Sequence, residues 1–218
     1  MVPMTIADDP APAPAARRRP LERWAILEAA VELVDRHGLE ALSMRALAEE
    51  LGVGTMSLYH HVPNKEALLA GMNEVLVAEI EDPGGDGPWT DRALAMARSF
   101  REVGRRHPRC VPLLVSRPFS SEGSLRPCEV ALALLAEGGF DPERAMLAFR
   151  TVVAYVLGFL TMESSGFFAD EGDGPPDDLA GLGLPHLAAA VPCLEHLDPD
   201  TQFEAGLAMV FTGVVTGG

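Results

Sequence analysis

Cysteine is scarce in this chain, and its pattern excludes two classes of protein. The 218 residues include 3 cysteines, Cys110, Cys128 and Cys193, which are odd in number and far apart. Small secreted domains instead carry paired cysteines that form a disulfide framework. A zinc site would need closely spaced ligands, which these cysteines do not provide. We therefore expect reduced thiols, no metal, no cofactor and a cytoplasmic protein.

Long hydrophobic runs are also missing. The longest uncharged apolar stretch covers residues 151–162, whereas a membrane-spanning helix needs roughly 20 residues. Residues 1–16 are rich in proline and alanine and contain Asp8 and Asp9, unlike a charged-then-apolar secretory leader. We expect a disordered tail over residues 1–16, no secretory signal and no membrane partner. Hydrophobic residues still make up 48% of the chain, which is enough for a buried core.

Positive charge is in short supply. The chain has 17 Lys and Arg against 32 Asp and Glu, for a formal net charge of −15, the opposite of the usual nucleic-acid-binding composition. DNA binding nevertheless depends on a local positive surface rather than on the total. Acidic runs such as residues 170–171 lie far from a basic cluster near the N-terminus, formed by Arg17, Arg18, Arg19 and Arg23.

What the sequence does contain is a pair of helical patterns joined by a glycine. Leu47 and Leu51 are apolar at helical spacing, and Gly52 follows where the first helix must end. Val53 and Leu58 resume the pattern, so a second short helix can pack back on the first. Such a run alone also occurs in compact bundles that bind no DNA. Here, however, the second helix would turn an unusual set of residues outward: Thr55, Met56, Ser57, Tyr59, His60 and His61.

The flanking sequence favours a DNA-binding unit. A helical pattern over residues 21–37 ends at Gly38, and Ser43 can cap the next helix. Asn64 can cap a fourth, longer helix that reaches about residue 80. Three short helices and a connecting helix are therefore predicted over residues 17–80.

The same segment is similar to the DNA-binding domain of the TetR family of bacterial transcriptional repressors, and most closely to the tetracycline-repressor branch. The resemblance rests on four motifs: Gly38-Leu39-x-x-Leu42-Ser43-x-Arg45-x-Leu47-Ala48, Leu51-Gly52-Val53, Leu58-Tyr59-x-His61-Val62 and Asn64-Lys65-x-x-Leu68-Leu69.

This resemblance implies roles for individual residues. Tyr59 and Lys65 match family residues that bind phosphate. Arg45 matches a family residue that reads a base, since a guanidinium can donate hydrogen bonds to both acceptors of guanine in the major groove. Met56 suits apolar contact with a thymine methyl, whereas His60 stands where the tetracycline repressor has a tryptophan. For each of these residues, a merely exposed surface role is the alternative. The DNA-contact set implied is Arg17, Arg18, Arg19, Arg45, Thr55, Met56, Ser57, Tyr59, His60, His61 and Lys65.

The remainder, residues 81–218, reads as a second helical domain. A proline- and glycine-rich break at residues 82–88 separates the two. Helices are predicted over residues 89–107, 123–137, 142–167 and 198–215, with a proline-punctuated segment after the first and a loop over 169–184. No alternating strand pattern occurs, so the expected fold is all-α: an N-terminal three-helix helix-turn-helix domain followed by a C-terminal bundle for ligand binding and dimerisation.

Two of these helices predict a homodimer. Residues 145–162 and 205–215 are apolar nearly all round and include small residues that permit close helix contact: Ala154, Gly158, Ala208 and Gly213. They could instead be the central helices of a monomeric bundle. The family resemblance implies a four-helix dimer interface, which would set two recognition helices roughly 34 Å apart on a palindromic site.

The second domain matches the family more loosely, in His107-Pro108, Gly139-Phe140, Phe149-Arg150 and Tyr155-x-x-Gly158. Core packing is the alternative role for any one residue proposed to contact a ligand, and His107 and Arg150 are the polar candidates for orienting it. The tetracycline repressor binds its drug with magnesium, but no matching His/Glu pair is apparent, so no metal is expected. The candidate ligand-binding residues are Met96, Phe100, His107, Phe119, Phe149, Arg150, Tyr155, Phe159 and Met162.

The function predicted is a ligand-responsive repressor that binds palindromic double-stranded operator DNA and is released by a small, largely apolar effector. Ligand binding would tilt the helix from about Asn64 to Ile80, in which Gly71 either eases bending or is simply tolerated. A dimeric small-molecule-binding module without DNA activity is the alternative. Six histidines admit acid–base chemistry, but no nucleophile motif, metal-ligand spacing or phosphate loop accompanies them, so an enzyme is not expected.

Overall fold

The computed structural model describes residues 22–116, 121–168, 179, 181–196 and 198–216. All regular secondary structure in these ranges is helical, which confirms the all-α prediction. The predicted tail, Arg17, Arg18, Arg19, Phe119 and most of the predicted loop at 169–184 lie outside the described residues.

The first domain contains four helices: α1 (Arg23–His37), α2 (Met44–Leu51), α3 (Thr55–His61) and α4 (Lys65–Ala78). The predicted caps are confirmed, since Ser43 Oγ accepts from Ala46 N at 3.1 Å and Asn64 Oδ1 accepts from Ala67 N at 2.8 Å. Gly52 ends α2 in the left-handed conformation, with φ 62° and ψ 35°. This sharp stop turns the chain so that α3 can cross α2.

The core of this domain joins the helix-turn-helix to α4. Leu27 of α1, Leu47 of α2, Leu58 of α3 and Leu68 of α4 are all fully buried in one cluster. Burial of each such side chain contributes about 1.5–3 kcal/mol. The position of α3 is therefore fixed by packing against helices that also contact α4.

Gly71 lets α1 and α4 approach closely. A Cβ placed on Gly71 would lie 2.5 Å from Leu27 Cδ2, which is far inside van der Waals contact. Gly71 is buried in the middle of α4, where its lack of a side chain makes room for Leu27. Helix packing thus accounts for this glycine.

The second domain contains six helices in the described residues: α5 (Trp89–Arg106), α6 (Val111–Ser116), α7 (Glu122–Glu137), α8 (Pro142–Ser164), α9 (Pro185–Ala190) and α10 (Pro199–Thr216). Short 3-10 turns occupy Leu39–Ala41, Pro108–Cys110 and Val191–His196. The predicted helices correspond to α5, α7, α8 and α10, each within a few residues. The short helices α6 and α9 were not predicted.

Helix α8 lies at the centre of this domain and packs against α5, α7 and α10. Asp141 begins it as predicted, because its side chain accepts from Arg144 N at 2.9 Å and Pro142 occupies the first turn. The helix has 23 residues and a mean hydropathy of 1.7 over its most apolar stretch, so length and composition alone would let it cross a membrane. That is weak evidence, since central helices of water-soluble domains share this composition.

Candidate DNA-reading face and effector cavity

The outer face of α3 is free of core packing. Leu58 is the buried residue of this seven-residue helix, and it anchors the helix from beneath. Met56 is 70% exposed and Tyr59 is 43% exposed. Ser57, His60 and His61 are exposed as well, and Thr55 is partly buried at the first turn. The structure thus places the predicted reading residues of α3 on one accessible helix, as a major-groove reader requires.

Arg45 projects from α2 beside this face. Its side chain is 86% exposed, and Arg45 Nε donates to Glu49 Oε1 at 2.9 Å. The hydrogen bond to Glu49 raises the pKa of the Arg45 guanidinium above its ordinary value. The Arg45 guanidinium therefore remains charged. It can reach a base edge only if its hydrogen bond to Glu49 breaks or if the guanidinium binds Glu49 and the base together.

Lys65 has a structural contact at the start of α4. Its Nζ donates to the carbonyl oxygen of Leu42 at 3.0 Å, which ties the first turn of α4 to the chain just before α2. The ammonium therefore lies at the N-terminal end of a 14-residue helix, where the helix dipole also favours an anion.

The helices of the second domain and α4 together form a cavity of about 100 Å³. One wall belongs to α4, and the others come from α5, α6, α7, α8 and α10. Among the described residues that line it, none is acidic, basic or histidine. The lining comprises Asn73, Val77, Ile80, Ala93, Met96, Ala97, Phe100, Leu114, Ser124, Pro127, Cys128, Ala131, Leu134, Leu135, Ala148, Phe149, Val152, Val153, Val156 and Phe211.

Three of the predicted ligand-binding residues, Met96, Phe100 and Phe149, line this cavity. Arg150 and Met162 lie on other sides of α8, with Arg150 exposed and Met162 half-buried. A helix apolar nearly all round does not reveal which side faces a cavity. The side of α8 that does so carries Ala148, Phe149, Val152, Val153 and Val156.

Tyr155 and Phe159 belong to an aromatic cluster on the side of α8 that faces α10. The Phe203 ring lies 5.6 Å from Tyr155 and 5.2 Å from Phe159. Tyr155 Oη donates to the Phe203 carbonyl at 2.9 Å. The buried guanidinium of Arg101 lies over Phe203 at 4.4 Å and is paired with Glu163 at 2.6 Å. These two aromatic residues therefore pack the core between helices rather than line the cavity.

His107 also lies away from the cavity, at the junction between the two domains. Its Nδ1 is 2.6 Å from Asp35 Oδ2 at the end of α1, and its Nε2 is 3.2 Å from Glu79 just after α4. Arg106 adds a 2.7 Å ion pair to Glu79. We expected this polar residue at the end of α5 to orient a ligand, but it joins α5 to the first domain.

Sequence reasoning did not identify the cavity wall formed by α4. Asn73, Val77 and Ile80 recur at the i, i+4 and i+7 spacing of one helix face. That spacing was visible in the sequence, with a polar residue on an otherwise apolar stripe.

The outward faces of α8 and α10 remain uncovered. Leu147 is 68% exposed and Met209 is 74% exposed. Gly158 and Gly213, one on each helix, are exposed too, and a Cβ added at either would meet no atom within 4 Å. Both helices therefore offer a smooth apolar surface that this chain does not bury by itself.

Two family models match the chain. Residues 26–72 match the model of bacterial regulatory proteins of the tetR family, and residues 83–217 match the tetracyclin repressor-like C-terminal domain. The unmatched stretch between them, residues 73–82, contains the second half of α4 and the start of the loop that precedes α5.

The chain is also similar to individual relatives. The chain is 31% identical to the class A tetracycline repressor from transposon 1721 of Escherichia coli, over 87% of this chain and 88% of that protein. It is 39% identical to the HTH-type transcriptional repressor DrrR1 of Streptomyces coeruleorubidus over 61% of this chain, a match spanning half of DrrR1. The crystal structure of ActR from Streptomyces coelicolor in complex with (S)-DNPA has a TM-score of 0.83 at 31% identity, covering 92% of this chain and all of ActR.

Proposed function

Because this chain belongs to the TetR family of bacterial transcriptional regulators, we propose that it is a ligand-responsive repressor whose effector binds the cavity of the second domain. It acts as a homodimer on a palindromic operator and leaves the DNA when the effector binds. The relatives are transcription regulators, and we propose no enzymatic activity. Binding to operator DNA would take place in the cytoplasm.

One observation carries this proposal: α4 belongs to both domains. Leu68 and Met72 of α4 are fully buried in the core that holds α1, α2 and α3. Val77 and Ile80, further along, line the cavity. A change in the cavity that shifts α4 must therefore also move the reading helix α3, since packed interiors transmit displacement rather than absorb it.

On the DNA side, the exposed face of α3 would enter the major groove. Tyr59 and Lys65 bind phosphates and fix the register of the protein, while Arg45 reads a base. Thr55, Met56, Ser57, His60 and His61 complete the contact surface, with Arg17, Arg18 and Arg19 as a basic arm. The net charge of −15 keeps binding to bulk DNA weak, so operator affinity depends on this local surface.

On the effector side, the apolar lining supports a small, largely apolar molecule. Two solved relatives contain bound ligands of their own, ActR with actinorhodin and an Acinetobacter baumannii TetR variant with minocycline. In this chain, the rings of Phe100, Phe149 and Phe211 and the thioether of Met96 offer flat and adaptable apolar contacts. No metal is proposed as part of the complex.

The homodimer is supported by the uncovered faces of α8 and α10. Packing these faces against their counterparts in a second copy would form a four-helix interface around Gly158 and Gly213. The two copies of α3 would then be related by a two-fold axis, which matches a palindromic site.

Release requires the effector to bind the DNA-free state more tightly than the DNA-bound state, not merely to bind tightly. A hundredfold loss of operator affinity corresponds to about 2.7 kcal/mol of coupling. Displacement of α4 by a ligand in the cavity supplies the structural route for that coupling.

The test is selection of the purified protein on a pool of random double-stranded DNA, followed by titration of the enriched sequence against salt. An enriched palindrome, bound by a dimer with affinity falling steeply as salt rises, is the expected result. Alanine variants of Arg45, Tyr59 and Lys65 should bind that sequence more weakly and remain dimeric. No enrichment at low salt would contradict operator binding and favour the dimeric ligand-binding module.

A further inference from the structure

Few of the described residues that line the cavity are polar. Asn73 of α4 and Ser124 and Cys128 of α7 are the lining residues, among those described, whose side chains carry a hydrogen-bond donor. The remaining lining is apolar. A charged ligand buried here would meet no counter-charge in the described lining, which is a large cost in an apolar site. The cavity chemistry therefore favours a neutral molecule.

The two donors on α7 are committed within that helix. Ser124 Oγ donates to Ser121 O at 2.7 Å and accepts from Ser121 N at 3.2 Å, which stabilises the first turn of α7. Cys128 Sγ donates to Ser124 O at 3.4 Å. Burial raises the pKa of the Cys128 thiol, so it stays neutral. Neither side chain can donate to a ligand without breaking a contact that holds α7.

Asn73 stands in an unusual place. It is fully buried in the middle of α4, although asparagine is a poor helix former and is seldom found in an apolar interior. Its amide carries two donor hydrogens and an acceptor oxygen, so it can bind a ligand while keeping a protein partner. A leucine of similar size would suit the helix and the neighbouring core better. Its place in the cavity lining puts this buried amide within reach of a bound ligand.

The residue next to Asn73 links the cavity wall to both flanking helices. Glu74 accepts from Arg23 of α1 at 2.8 and 3.3 Å. A Cβ placed on Gly123, in the first turn of α7, would lie 3.0 Å from Glu74 Cγ. A ligand held by Asn73 thus acts on the part of α4 that is clamped between α1 and α7.

We propose that Asn73 is the residue that recognises the effector, and that the effector is a neutral, ring-containing molecule with a carbonyl or similar acceptor oxygen bound by the Asn73 amide. This rests on the proposed function, since it assigns a ligand class to the same cavity. Asn73 lies on α4, the helix that packs against the DNA-binding helices. Effector recognition and the displacement of α4 would therefore begin at the same side chain.

The test compares 9-fluorenone with fluorene, which share a ring system and differ by one carbonyl oxygen. Equilibrium dialysis of the full-length protein gives both Kd values for the wild type, for Asn73→Leu and for the control Arg126→Ala, an exposed residue of α7 that does not line the cavity. The ratio of the fluorene Kd to the fluorenone Kd should fall about fivefold in Asn73→Leu, the loss of one neutral hydrogen bond, and stay unchanged in Arg126→Ala. A ratio that is the same in the wild type and in Asn73→Leu would overturn the proposal.

Two further measurements need only the wild-type protein. The carbonyl stretching band of bound 9-fluorenone should lie at lower frequency than in hexane, and a band at the hexane position would contradict a hydrogen-bonded carbonyl. 9-Fluorenone-2-carboxylate should bind at least about tenfold more weakly than 9-fluorenone, because its charge would be buried without a partner. Equal affinity would contradict the neutral ligand class.

The outcomes also separate this inference from the proposed function. Binding of both neutral probes with no dependence on Asn73 would remove the role of Asn73 and leave an effector cavity in place. Binding of neither probe by wild-type protein would contradict both the ligand class and the use of this cavity.

Discussion

His107 Nδ1 lies 2.6 Å from Asp35 Oδ2, and this contact joins the second domain to the last turn of α1. The same imidazole reaches Glu79 through Nε2 at 3.2 Å, so one side chain bridges the ends of α1 and α4. Arg109 strengthens the junction by donating to the carbonyl oxygen of Arg36 at 2.5 Å. The relative position of the two domains thus depends on a small polar cluster as well as on the apolar core.

Replacement of His107 should therefore loosen the domain junction. We expect His107→Ala to lower the free energy of unfolding by about 1–3 kcal/mol, because two partly buried carboxylates lose their shared hydrogen-bond partner. Denaturant titration measures the change. His186→Ala is the matched control, since His186 is exposed on α9 and should change stability by less than about 0.5 kcal/mol. Equal effects of the two variants would contradict the bridging role.

Substitution of Lys65 and substitution of Arg45 should differ in their effect on the sequence specificity of DNA binding. Lys65→Ala should weaken binding to all sequences alike and reduce the salt slope by about 0.9 per protomer, hence about 1.8 for a dimer. Arg45→Ala should instead relax the base preference at one position in each half-site, at a cost of about 1–3 kcal/mol. Titration of the selected operator and its single-base variants measures both. Arg126→Ala, an exposed charge on α7, should leave both quantities unchanged.

Dimerisation should depend on the uncovered faces of α8 and α10. Leu147→Glu and Met209→Glu each place a charge on these faces, so we expect sedimentation equilibrium to show monomers, with loss of operator binding. Leu125→Glu is the matched control, because Leu125 is 50% exposed but lies on α7. If the control dissociated the dimer and the other two variants did not, the interface would have to be sought on α7.

Gly71 should tolerate no side chain. The Cβ of Gly71→Ala would meet Leu27 at 2.5 Å, so α1 and α4 would have to separate or repack. We expect a loss of about 1–3 kcal/mol in unfolding free energy, despite the better helix propensity of alanine. Thermal and denaturant unfolding measure it. A more stable variant would show that flexibility of α4, rather than its packing, is the reason for this glycine.

The ion pair between Glu74 and Arg23 should make stability depend on pH in the acid range. Burial raises the pKa of the Glu74 carboxyl, but hydrogen bonds from Arg23 and Ser121 and the charge of Arg23 outweigh it and hold that pKa below its ordinary value of 4.5. The carboxylate therefore stabilises the fold above pH 4.5, and this contribution is lost as pH falls through the lower folded-state pKa. The stability difference between wild type and Glu74→Gln should shrink as pH is lowered from 7 to 3. A difference that stays constant would exclude this linkage.

Local signals in the sequence were sufficient for most of the fold. Ser43, Asn64 and Asp141 cap helices in the structure because a cap needs only its own side chain and the following turn. Gly52 likewise ends α2 through its own backbone conformation. The helix boundaries and the helix-turn-helix could therefore be predicted from short stretches of sequence.

The cavity could be predicted only in part, because it depends on which sides of the helices face each other. Met96 and Phe149 were identified, whereas Tyr155 and Phe159 face Phe203 instead. A helix with apolar residues on every side gives no periodicity from which to choose. The position of His107 was missed for a related reason, since its partners lie 72 and 28 residues away along the chain.

Because α4 belongs to both domains, it limits how the effector preference of such a regulator can change during evolution. A substitution that reshapes the cavity wall at Val77 or Ile80 also alters the helix that positions α3, so it changes the level of repression in the absence of any effector. The walls built by α5, α7 and α8 belong to helices that do not carry α3 directly, so substitutions there should alter repression less. Substitutions that change effector preference should therefore accumulate on those three helices. Substitutions in the α4 wall should be rarer and should accompany changes in the operator sequence.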